Sequence, residues 1–205
     1  MDRAEHWNKV YTEKADTDLS WYQNMPTLSL TMLDRLGLGR DAAVIDVGGG
    51  GPSALAGELL DRGFTDLSVL DISAAALERC RQRLADRAGR VTWLEADITR
   101  FNPPRQYDLW HDRAVFHFLT DPEDRDAYVA AISRALKPGG HAIIATFAPD
   151  GPPKCSGLDV VRWGPTALAE TLGGGFSLVE CFRETHQTPW GKPQAFVYCL
   201  FQCIG

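Results

Sequence analysis

Apolar and polar residues follow two different spacings along most of this chain, and the spacings predict its elements. From residue 41 onward, short apolar runs indicate strands, and apolar residues three or four positions apart indicate helices. The predicted strands are AAVIDV (42–47), DLSVLD (66–71), RVTWLE (90–95), YDLWHD (107–112) and HAIIATF (141–147). The predicted helices are SALAGELLDRG (53–63), SAAALERCRQRLADR (73–87) and DPEDRDAYVAAISRALKPGG (121–140). Their alternation predicts crossover units and a mostly parallel sheet.

Capping residues support these helix assignments. Ser53, Ser73 and Asp121 are placed to act as N-caps, because their side chains can accept hydrogen bonds from the free N–H groups of a first turn. Gly63 and Gly139 are typical of helix ends.

The C-terminal part has a different order of predicted elements. A helix TALAETLG (166–173) is followed by two predicted strands, FSLVECFRETH (176–186) and QAFVYCLFQC (194–203), with the turn sequence TPWGKP between them. These strands must pair antiparallel, since a parallel pair needs a crossover of a dozen residues or more. The expected fold is therefore an α/β, Rossmann-like, doubly wound, seven-stranded mixed sheet with an antiparallel strand at one edge.

Two further helices are predicted before the first strand, EHWNKVYTEK and MPTLSLTMLDRL, joined by the unusually aromatic segment ADTDLSWYQN. The sequence contains no repeat, low-complexity tract or linker. We therefore expect a single domain over residues 1–205, with a helical cap or lid at 1–40 and an α/β core at 41–205.

Composition and charge exclude several classes. With 44% hydrophobic and 23% charged residues, the chain is typical of soluble globular proteins. Its formal net charge of −6 disfavours nucleic acid as a partner. The one basic cluster has a simpler explanation, because cations favour the C-terminal end of a helix; it comprises Arg79, Arg81, Arg83, Arg87 and Arg90.

Targeting and cysteine usage complete this picture. The start MDRAEHWNKV lacks the apolar stretch of a signal peptide, and the apolar runs are too short to span a bilayer. Five cysteines without a C-x-x-C pair favour reduced thiols over disulfides or a metal site. We expect a cytoplasmic protein without membrane partner or metal.

The strongest motif is AAVIDVGGGGPSALAGELL, in which a strand containing Asp46 leads through four glycines into a helix. Glycine lets the backbone approach a ligand closely, and the start of the helix offers free N–H groups and a positive dipole end. The motif favours a nucleotide-like ligand, although tight turns also use glycine for steric reasons alone.

Two acids follow the next predicted strands. Asp71 ends the second strand, where Rossmann-type folds place an acid on ribose hydroxyls, and Asp97 follows the third strand in LEADIT. Either acid alone could be a helix cap. Together with the glycines at one edge of the sheet, they indicate a ligand site.

These residues resemble the class I S-adenosylmethionine-dependent methyltransferases. VIDVGGGGPS is similar to the family's glycine-rich motif, LDIS to its second-strand acid, EADIT to its adenine-edge motif, and LKPGGHAIIATF to its fifth-strand signature. Pro52 departs from the pattern, because the family usually has another glycine there. An NAD-linked dehydrogenase is the nearest rival, but GGGGPS fits G-x-G-x-x-G poorly.

The resemblance implies S-adenosylmethionine as cofactor and S-adenosylhomocysteine as product. Asp71 would bind the ribose hydroxyls, Asp97 with the Ile98 backbone would meet the adenine, and Asp46 would lie near the methionine moiety. The aromatic segment with Trp21, Tyr22 and Gln23 would close over the site as a lid, although Trp7 and Trp21 could instead be packing anchors for the cap. The implied cofactor residues are Asp46, Gly48, Gly50, Asp71, Ile72, Asp97, Ile98, His111, Trp21, Tyr22 and Gln23.

The methyl acceptor is expected beside LWHDRAVFHFLTD, at the end of the fourth strand. Asp112, Arg113 and His117 are the candidate catalytic residues there, with His117 as a possible base. Asp112 and Arg113 could instead form a structural ion pair, and His117 could be a packed imidazole. Cys155 beside Lys154 is a further candidate, because a neighbouring cation lowers the pKa of a thiol.

Three functions follow from this interpretation. The leading hypothesis is methyl transfer by SN2 displacement to a small-molecule acceptor, with a thiol as one candidate. Protein-lysine methylation is the alternative, since EHWNKVYTEKADTDLSWYQ weakly resembles the N-termini of both protein-lysine and thiol methyltransferases. A non-catalytic S-adenosylmethionine-binding module is the third. We expect a monomer or weak homodimer.

Overall fold

A computed structural model describes residues 2–205 of the chain, in six helices and nine strands. The helices are α1 (Arg3–Glu13), α2 (Thr27–Leu36), α3 (Leu55–Asp61), α4 (Ala74–Leu84), α5 (Pro122–Ala135) and α6 (Pro165–Leu172). The strands are β1 (Ala43–Val47), β2 (Asp66–Asp71), β3 (Val91–Glu95), β4 (Tyr107–Arg113), β5 (Leu136–Phe147), β6 (Lys154–Cys155), β7 (Leu158–Asp159), β8 (Phe176–Gln187) and β9 (Pro193–Cys203).

Seven of these strands form one mixed sheet in the order β3-β2-β1-β4-β5-β9-β8. The pairs β3/β2, β2/β1, β1/β4 and β4/β5 are parallel, whereas β9 runs antiparallel to both β5 and β8. The predicted seven-stranded mixed sheet is confirmed. Its last strand does not lie at the edge but between β5 and β8.

Helices cover both faces of the sheet, which is why β1 and β2 are buried along almost their whole length. On one face, α2, α3 and α4 bury leucines such as Leu33, Leu59 and Leu77 against β1, β2 and β4. On the other face, α5 and α6 bury Ile132 and Leu168. This double layer confirms the doubly wound arrangement.

Helix α5 ends earlier than the sequence predicts. It stops at Ala135 rather than near Gly139, and Leu136 already has the extended conformation that begins β5. The cause is Pro138, because the residue before a proline is driven out of the helical region. The Lys137 ammonium then pairs with the Asp108 carboxylate at 2.8 Å, in the adjacent strand β4.

The predicted helix starts are confirmed to different degrees. The Ser73 hydroxyl accepts the Ala76 N–H as an N-cap. Asp121 occupies the N-cap position of α5 without a side-chain bond. Helix α3 begins at Leu55, and the Ser53 hydroxyl accepts that residue's N–H at 3.4 Å.

The N-terminal helices pack on the carboxyl edge and on one face of the sheet. The Asn8 side-chain oxygen of α1 accepts the Ser73 hydroxyl at 2.8 Å and the Ala75 N–H at 3.1 Å, which fixes α1 to the start of α4. Helix α2 joins the core through Leu30, Met32 and Leu33. Within residues 2–205, no helix combines the length and the apolar character that a membrane span requires.

Candidate active site

A cavity lies between the carboxyl ends of β1, β2 and β4 and the N-terminal segment that covers them. Its walls are largely apolar and aromatic. It is lined by Arg3, Trp7, Tyr11, Trp21, Val47, Gly48, Leu70, Asp71, Ile72, Ala96, Asp97, Ile98, Arg113, Ala114, Val115, Phe118, Leu119 and Cys155. A smaller adjoining cavity shares Trp21, Gly48 and Arg113 with it and extends towards Asp46 and His111.

The glycine loop after β1 forms the floor shared by both cavities. Gly48 has φ +68°, its N–H donates to the Leu70 carbonyl at 2.7 Å, and a side chain there would collide with Val115. Gly51 also has positive φ, and its α-carbon faces the ring of Tyr11, leaving no space for a side chain. Only glycine satisfies both the backbone conformation and this close packing.

Asp71 at the end of β2 is buried in the cavity wall. Its two oxygens accept the N–H groups of Gly50 at 3.1 Å and Ser73 at 2.9 Å. Burial raises the pKa of this carboxyl to about 7, although the hydrogen bonds from Ser73 and Gly50 oppose the shift. The ligand-free site therefore favours the protonated form of Asp71 more than water favours it for an exposed aspartate.

Asp97 and Ile98 form the far wall, together with Ile72. Asp97 N-caps the short turn after β3, where its carboxylate accepts the Thr99 N–H at 2.9 Å. Arg3 of α1 lies 3.8 Å from Asp97 and pairs with Asp124 of α5. These ion pairs join the first helix to the rim of the cavity.

Asp46, His111 and Ser29 form a buried hydrogen-bonded chain. His111 Nδ1 lies 2.7 Å from the Asp46 carboxylate, and His111 Nε2 lies 2.8 Å from the Ser29 hydroxyl of α2. The Ser53 hydroxyl donates to the other Asp46 oxygen at 3.3 Å. The smaller cavity is thus connected through three side chains to the helix that packs above it.

Arg113 lies at the junction of the two cavities. Its Nε donates to the Tyr198 hydroxyl at 2.8 Å, and its Nη1 donates to the Trp21 carbonyl at 3.0 Å. The guanidinium also stacks over Phe196, 4.6 Å from the ring centroid. Strand β9 and the segment before α2 therefore hold Arg113 in one orientation.

The other two candidate catalytic residues lie outside the lining of both cavities. Asp112 is fully buried and accepts the N–H groups of Val115 and Phe116 and the Tyr128 hydroxyl. These bonds fix the turn after β4, and burial raises the pKa of Asp112 to about 6. The alternative of an Asp112–Arg113 ion pair is wrong, because Arg113 bonds to Tyr198 and Trp21 instead.

His117 is also fully buried, between the rings of Phe118 and Phe147. Its Nδ1 accepts the Phe147 N–H at 3.3 Å, and desolvation lowers the pKa of the imidazole to about 3. Its position does not support the prediction that His117 is a base, and the packed-imidazole alternative fits these contacts.

The structure also bears on the candidate thiol of Cys155 and on the proposed lid residues. Cys155 does line the cavity, but burial raises the pKa of its thiol to about 11, and Lys154 pairs with Asp159 instead. These contacts do not support a reactive, low-pKa thiol, and they fit the chance placement of Cys155 beside Lys154. Of the proposed lid residues, Trp21 and Gln23 line the cavities, whereas Tyr22 does not.

Sequence reasoning missed several residues of the site. Arg3 and Tyr11 belong to α1, which could not be placed over the cavity from its pattern alone. Glu184 and Tyr198 come from β8 and β9, and their hydroxyl–carboxylate bond of 2.9 Å lies beside Arg113. The signal that could have identified the last two residues is their polarity, since Glu184 and Tyr198 lie in strands that are otherwise apolar or alternate between apolar and polar residues.

The comparisons with known proteins agree with this geometry. A family model described as a methyltransferase domain matches residues 44–140. The zebrafish (Danio rerio) protein named EEF1A lysine methyltransferase 2 is 25% identical over 196 residues, which cover 87% of this chain and 77% of that protein. The crystal structure of the N-methyltransferase NodS from Bradyrhizobium japonicum with S-adenosylhomocysteine has a TM-score of 0.72 at 21% identity, over 100% of both chains.

Other relatives are much longer than this chain. The bovine (Bos taurus) protein named eEF1A lysine and N-terminal methyltransferase is 24% identical over 152 residues, which are 71% of this chain. The chain spans only 21% of that protein's length, and the same share of its mouse and human counterparts.

Proposed function

We propose that this chain is a class I, Rossmann-like S-adenosylmethionine-dependent methyltransferase and that it transfers the methyl group of that cofactor to a small-molecule acceptor. The observation that carries the proposal is the enclosed, aromatic cavity at the carboxyl ends of β1, β2 and β4, which the N-terminal segment covers. In open α/β sheets, ligands bind at this edge.

The residues of the cavity fit S-adenosylmethionine. The Asp71 carboxylate is suited to accept ribose hydroxyls, and the missing side chains of Gly48 and Gly50 let the loop pack closely against its neighbours at the floor of the cavity. Ile72, Asp97 and Ile98 provide an apolar slot with one acceptor for an adenine. Asp46 and His111, in the smaller cavity, lie where a methionine moiety would extend from such a nucleoside.

The chemistry asks little of the protein beyond alignment and exclusion of water. When bound, S-adenosylmethionine supplies a methyl group that is already activated on a sulfonium. Trp7, Tyr11, Trp21 and Phe118 line the cavity, with ring centroids 5.0 to 6.2 Å apart. Three of these ring pairs meet edge to face, and the Trp7–Tyr11 pair is tilted. These rings exclude water, and their faces attract a cation.

A small acceptor fits the enclosure better than a protein side chain. Trp21 and Arg113 lie between the two cavities, and the covering segment is itself held by the Arg113–Trp21 bond. An acceptor at this junction must fit beneath that segment. We assign Arg113 to the acceptor side, and Asp112 and His117 to supporting the turn that carries it.

The first test is calorimetric titration with S-adenosylmethionine, S-adenosylhomocysteine and NAD. We expect micromolar binding of the first two and none of NAD. Radiolabel transfer from S-adenosylmethionine is then measured with thiols and amines, and with protein extract separated by filtration. Label in the small-molecule fraction supports the proposal. Binding without transfer to any fraction would favour a non-catalytic binding module.

Protein-lysine methylation is the second candidate. It is supported by the identity of 25% over 87% of this chain with the zebrafish protein named EEF1A lysine methyltransferase 2. Retention of the label on protein in the filtration experiment would favour this activity over the first.

A further inference from the structure

We propose that Arg113 binds the methyl acceptor as an anion, and that this acceptor is a small thiolate. The inference rests on the proposed methyltransferase function and specifies the class of its substrate. It is drawn from the position of one guanidinium, from the hydrogen bonds that it lacks, and from the proton acceptors around it.

The Arg113 guanidinium is fixed in place but is not fully paired. Its side chain is 11% exposed, and its Nη2 has no hydrogen-bond partner although it is buried. The nearest acid is Glu184, whose Oε2 lies 3.9 Å from that nitrogen. This separation is too long for a hydrogen bond.

Glu184 is occupied by other donors. Its Oε2 accepts the Tyr198 hydroxyl at 2.9 Å, and both of its oxygens lie 3.3 Å from the Gln23 amide nitrogen. Tyr198 in turn accepts from Arg113 Nε. The network orients Arg113 and leaves both N–H groups of its Nη2 without an acceptor of hydrogen bonds. A buried donor of this kind is costly unless it is paired.

The cavities offer no free base to deprotonate an acceptor beside Arg113. Among the described lining residues, Asp46 and His111 bond to each other, and Asp71 accepts two backbone N–H groups. Asp97 lies on the far wall and caps its own turn. An acceptor that reacts here must therefore arrive already ionised, or ionise under the influence of Arg113.

Thiols meet this requirement better than amines or alcohols. A free thiol has a pKa of about 8.5, and a neighbouring cation lowers it into the neutral range. An amine would enter as a cation that Arg113 repels. The aromatic walls further favour sulfur, which is polarizable and makes favourable contacts with ring edges.

The transfer step balances without another reactant. The thiol proton leaves to solvent as the thiolate binds to Arg113. The thiolate sulfur then forms a bond to the methyl carbon, while the bond between that carbon and the sulfonium sulfur breaks and its electron pair stays on the cofactor sulfur. The products are a neutral thioether and S-adenosylhomocysteine.

The binding test uses thiocyanate, a soft monoanion that mimics a small thiolate. It is titrated into the wild-type complex with S-adenosylhomocysteine, and binding is followed by the fluorescence of Trp7 and Trp21. We expect saturable binding that weakens about tenfold or more in Arg113→Met, the effect of losing one charge-assisted hydrogen bond, and that recovers in part in Arg113→Lys. Arg183→Met is the matched control, because Arg183 is exposed and pairs with Asp150.

The affinity for S-adenosylhomocysteine distinguishes a failure of the proposed function from a failure of this inference. If wild-type protein does not bind it, the proposed function fails before this inference is tested. If Arg113→Met weakens the binding of S-adenosylhomocysteine as much as the binding of thiocyanate, Arg113 binds the cofactor and the inference is wrong. The inference is also wrong if wild-type protein does not bind thiocyanate, or if Arg113→Met binds thiocyanate as tightly as wild type does.

A turnover test compares three acceptors that differ only in the reacting atom: 2-mercaptoethanol, ethanolamine and ethylene glycol. We expect transfer to the thiol to exceed transfer to the other two, and to fall in Arg113→Met while the S-adenosylhomocysteine affinity is kept. Methylation of ethanolamine at a rate equal to or above that of the thiol contradicts a thiolate acceptor.

Discussion

In the ribose-binding role that we propose for it, Asp71 must be ionised, yet its burial favours the protonated form. Its pKa of about 7 is a property of the ligand-free protein. A ligand that donates hydrogen bonds to the carboxylate binds the ionised form better, and it therefore competes with the proton.

We expect the affinity for S-adenosylhomocysteine to be constant above about pH 8 and to weaken as the pH falls below 7, approaching tenfold per pH unit. Calorimetry between pH 5.5 and 8.5 measures this dependence. The Asp71→Asn variant should bind weakly and with little change across the same range. A flat wild-type profile would mean that Asp71 does not contact the ligand.

The pKa of His117 is lowered by burial, whereas that of Asp71 is raised. Because its pKa is lowered to about 3, the folded protein lacks a proton that the unfolded chain takes up below pH 6.5. The free energy of unfolding should therefore fall as the pH drops from 6.5 towards 3.

In His117→Asn, the side-chain oxygen can still accept the Phe147 N–H but cannot take up a proton. We expect urea unfolding of this variant to lose less stability between pH 7 and pH 5 than wild type loses, and turnover at pH 7.5 to stay within about tenfold. A loss of turnover of about a hundredfold would restore His117 as a base.

At the scale of elements, the chain Asp46–His111–Ser29 connects the strands to helix α2. Ser29 is 1% exposed, and its hydroxyl partners a histidine nitrogen that has no access to water. The helix is thus positioned by a polar contact as well as by its leucines.

Ser29→Ala should lower the free energy of unfolding by about 1–3 kcal/mol, because it leaves a buried nitrogen unpaired. Thr31→Ala is the control, since Thr31 lies on the exposed side of α2 and bonds only to its own helix; it should change stability by less than about 0.5 kcal/mol. Equal effects of the two substitutions in urea unfolding would show that the buried bond does not matter.

The elements themselves were largely predictable from the sequence. Apolar runs and caps identified the seven strands of the sheet and the helices, since these signals are local. The early end of α5 and the hairpin of β6 and β7 were missed. The first depended on Pro138, and the second on two-residue strands too short to show a periodicity.

At the scale of the molecule, the site combines residues that are distant in sequence. The edge of the sheet that holds the cavity was predictable, because Asp46, Asp71 and Asp97 lie at or just after the carboxyl ends of β1, β2 and β3. The partners of Arg113 were not predictable: Trp21 belongs to the cap, and Tyr198 and Glu184 reach the site only because β9 inserts between β5 and β8. Local patterns contain no information about such packing.

The cap forms one wall of the cavity through Trp7, Tyr11 and Trp21, so we expect it to move when a ligand binds. Helix α1 has 11 residues and is held by its aromatic contacts, by Asn8 and by Arg3. A helix of this length is marginal on its own, so it should open more readily than the sheet.

Hydrogen exchange followed by mass spectrometry tests this expectation. Amides of α1 should exchange much faster than those of β5 and β9 in the ligand-free protein, and should slow on addition of S-adenosylhomocysteine. The strands should change little. Protection of α1 that is equal with and without ligand would show that the cap does not open.

The contact between Gly51 and Tyr11 has a consequence for how this protein can diverge. A side chain at position 51 would collide with the Tyr11 ring and would also require a positive φ. Such a change can be accepted only with a smaller residue at position 11, which would loosen the helix over the cavity. We therefore expect positions 11 and 51 to change together among relatives of this protein, so that substitutions in the glycine loop and in the cap are correlated.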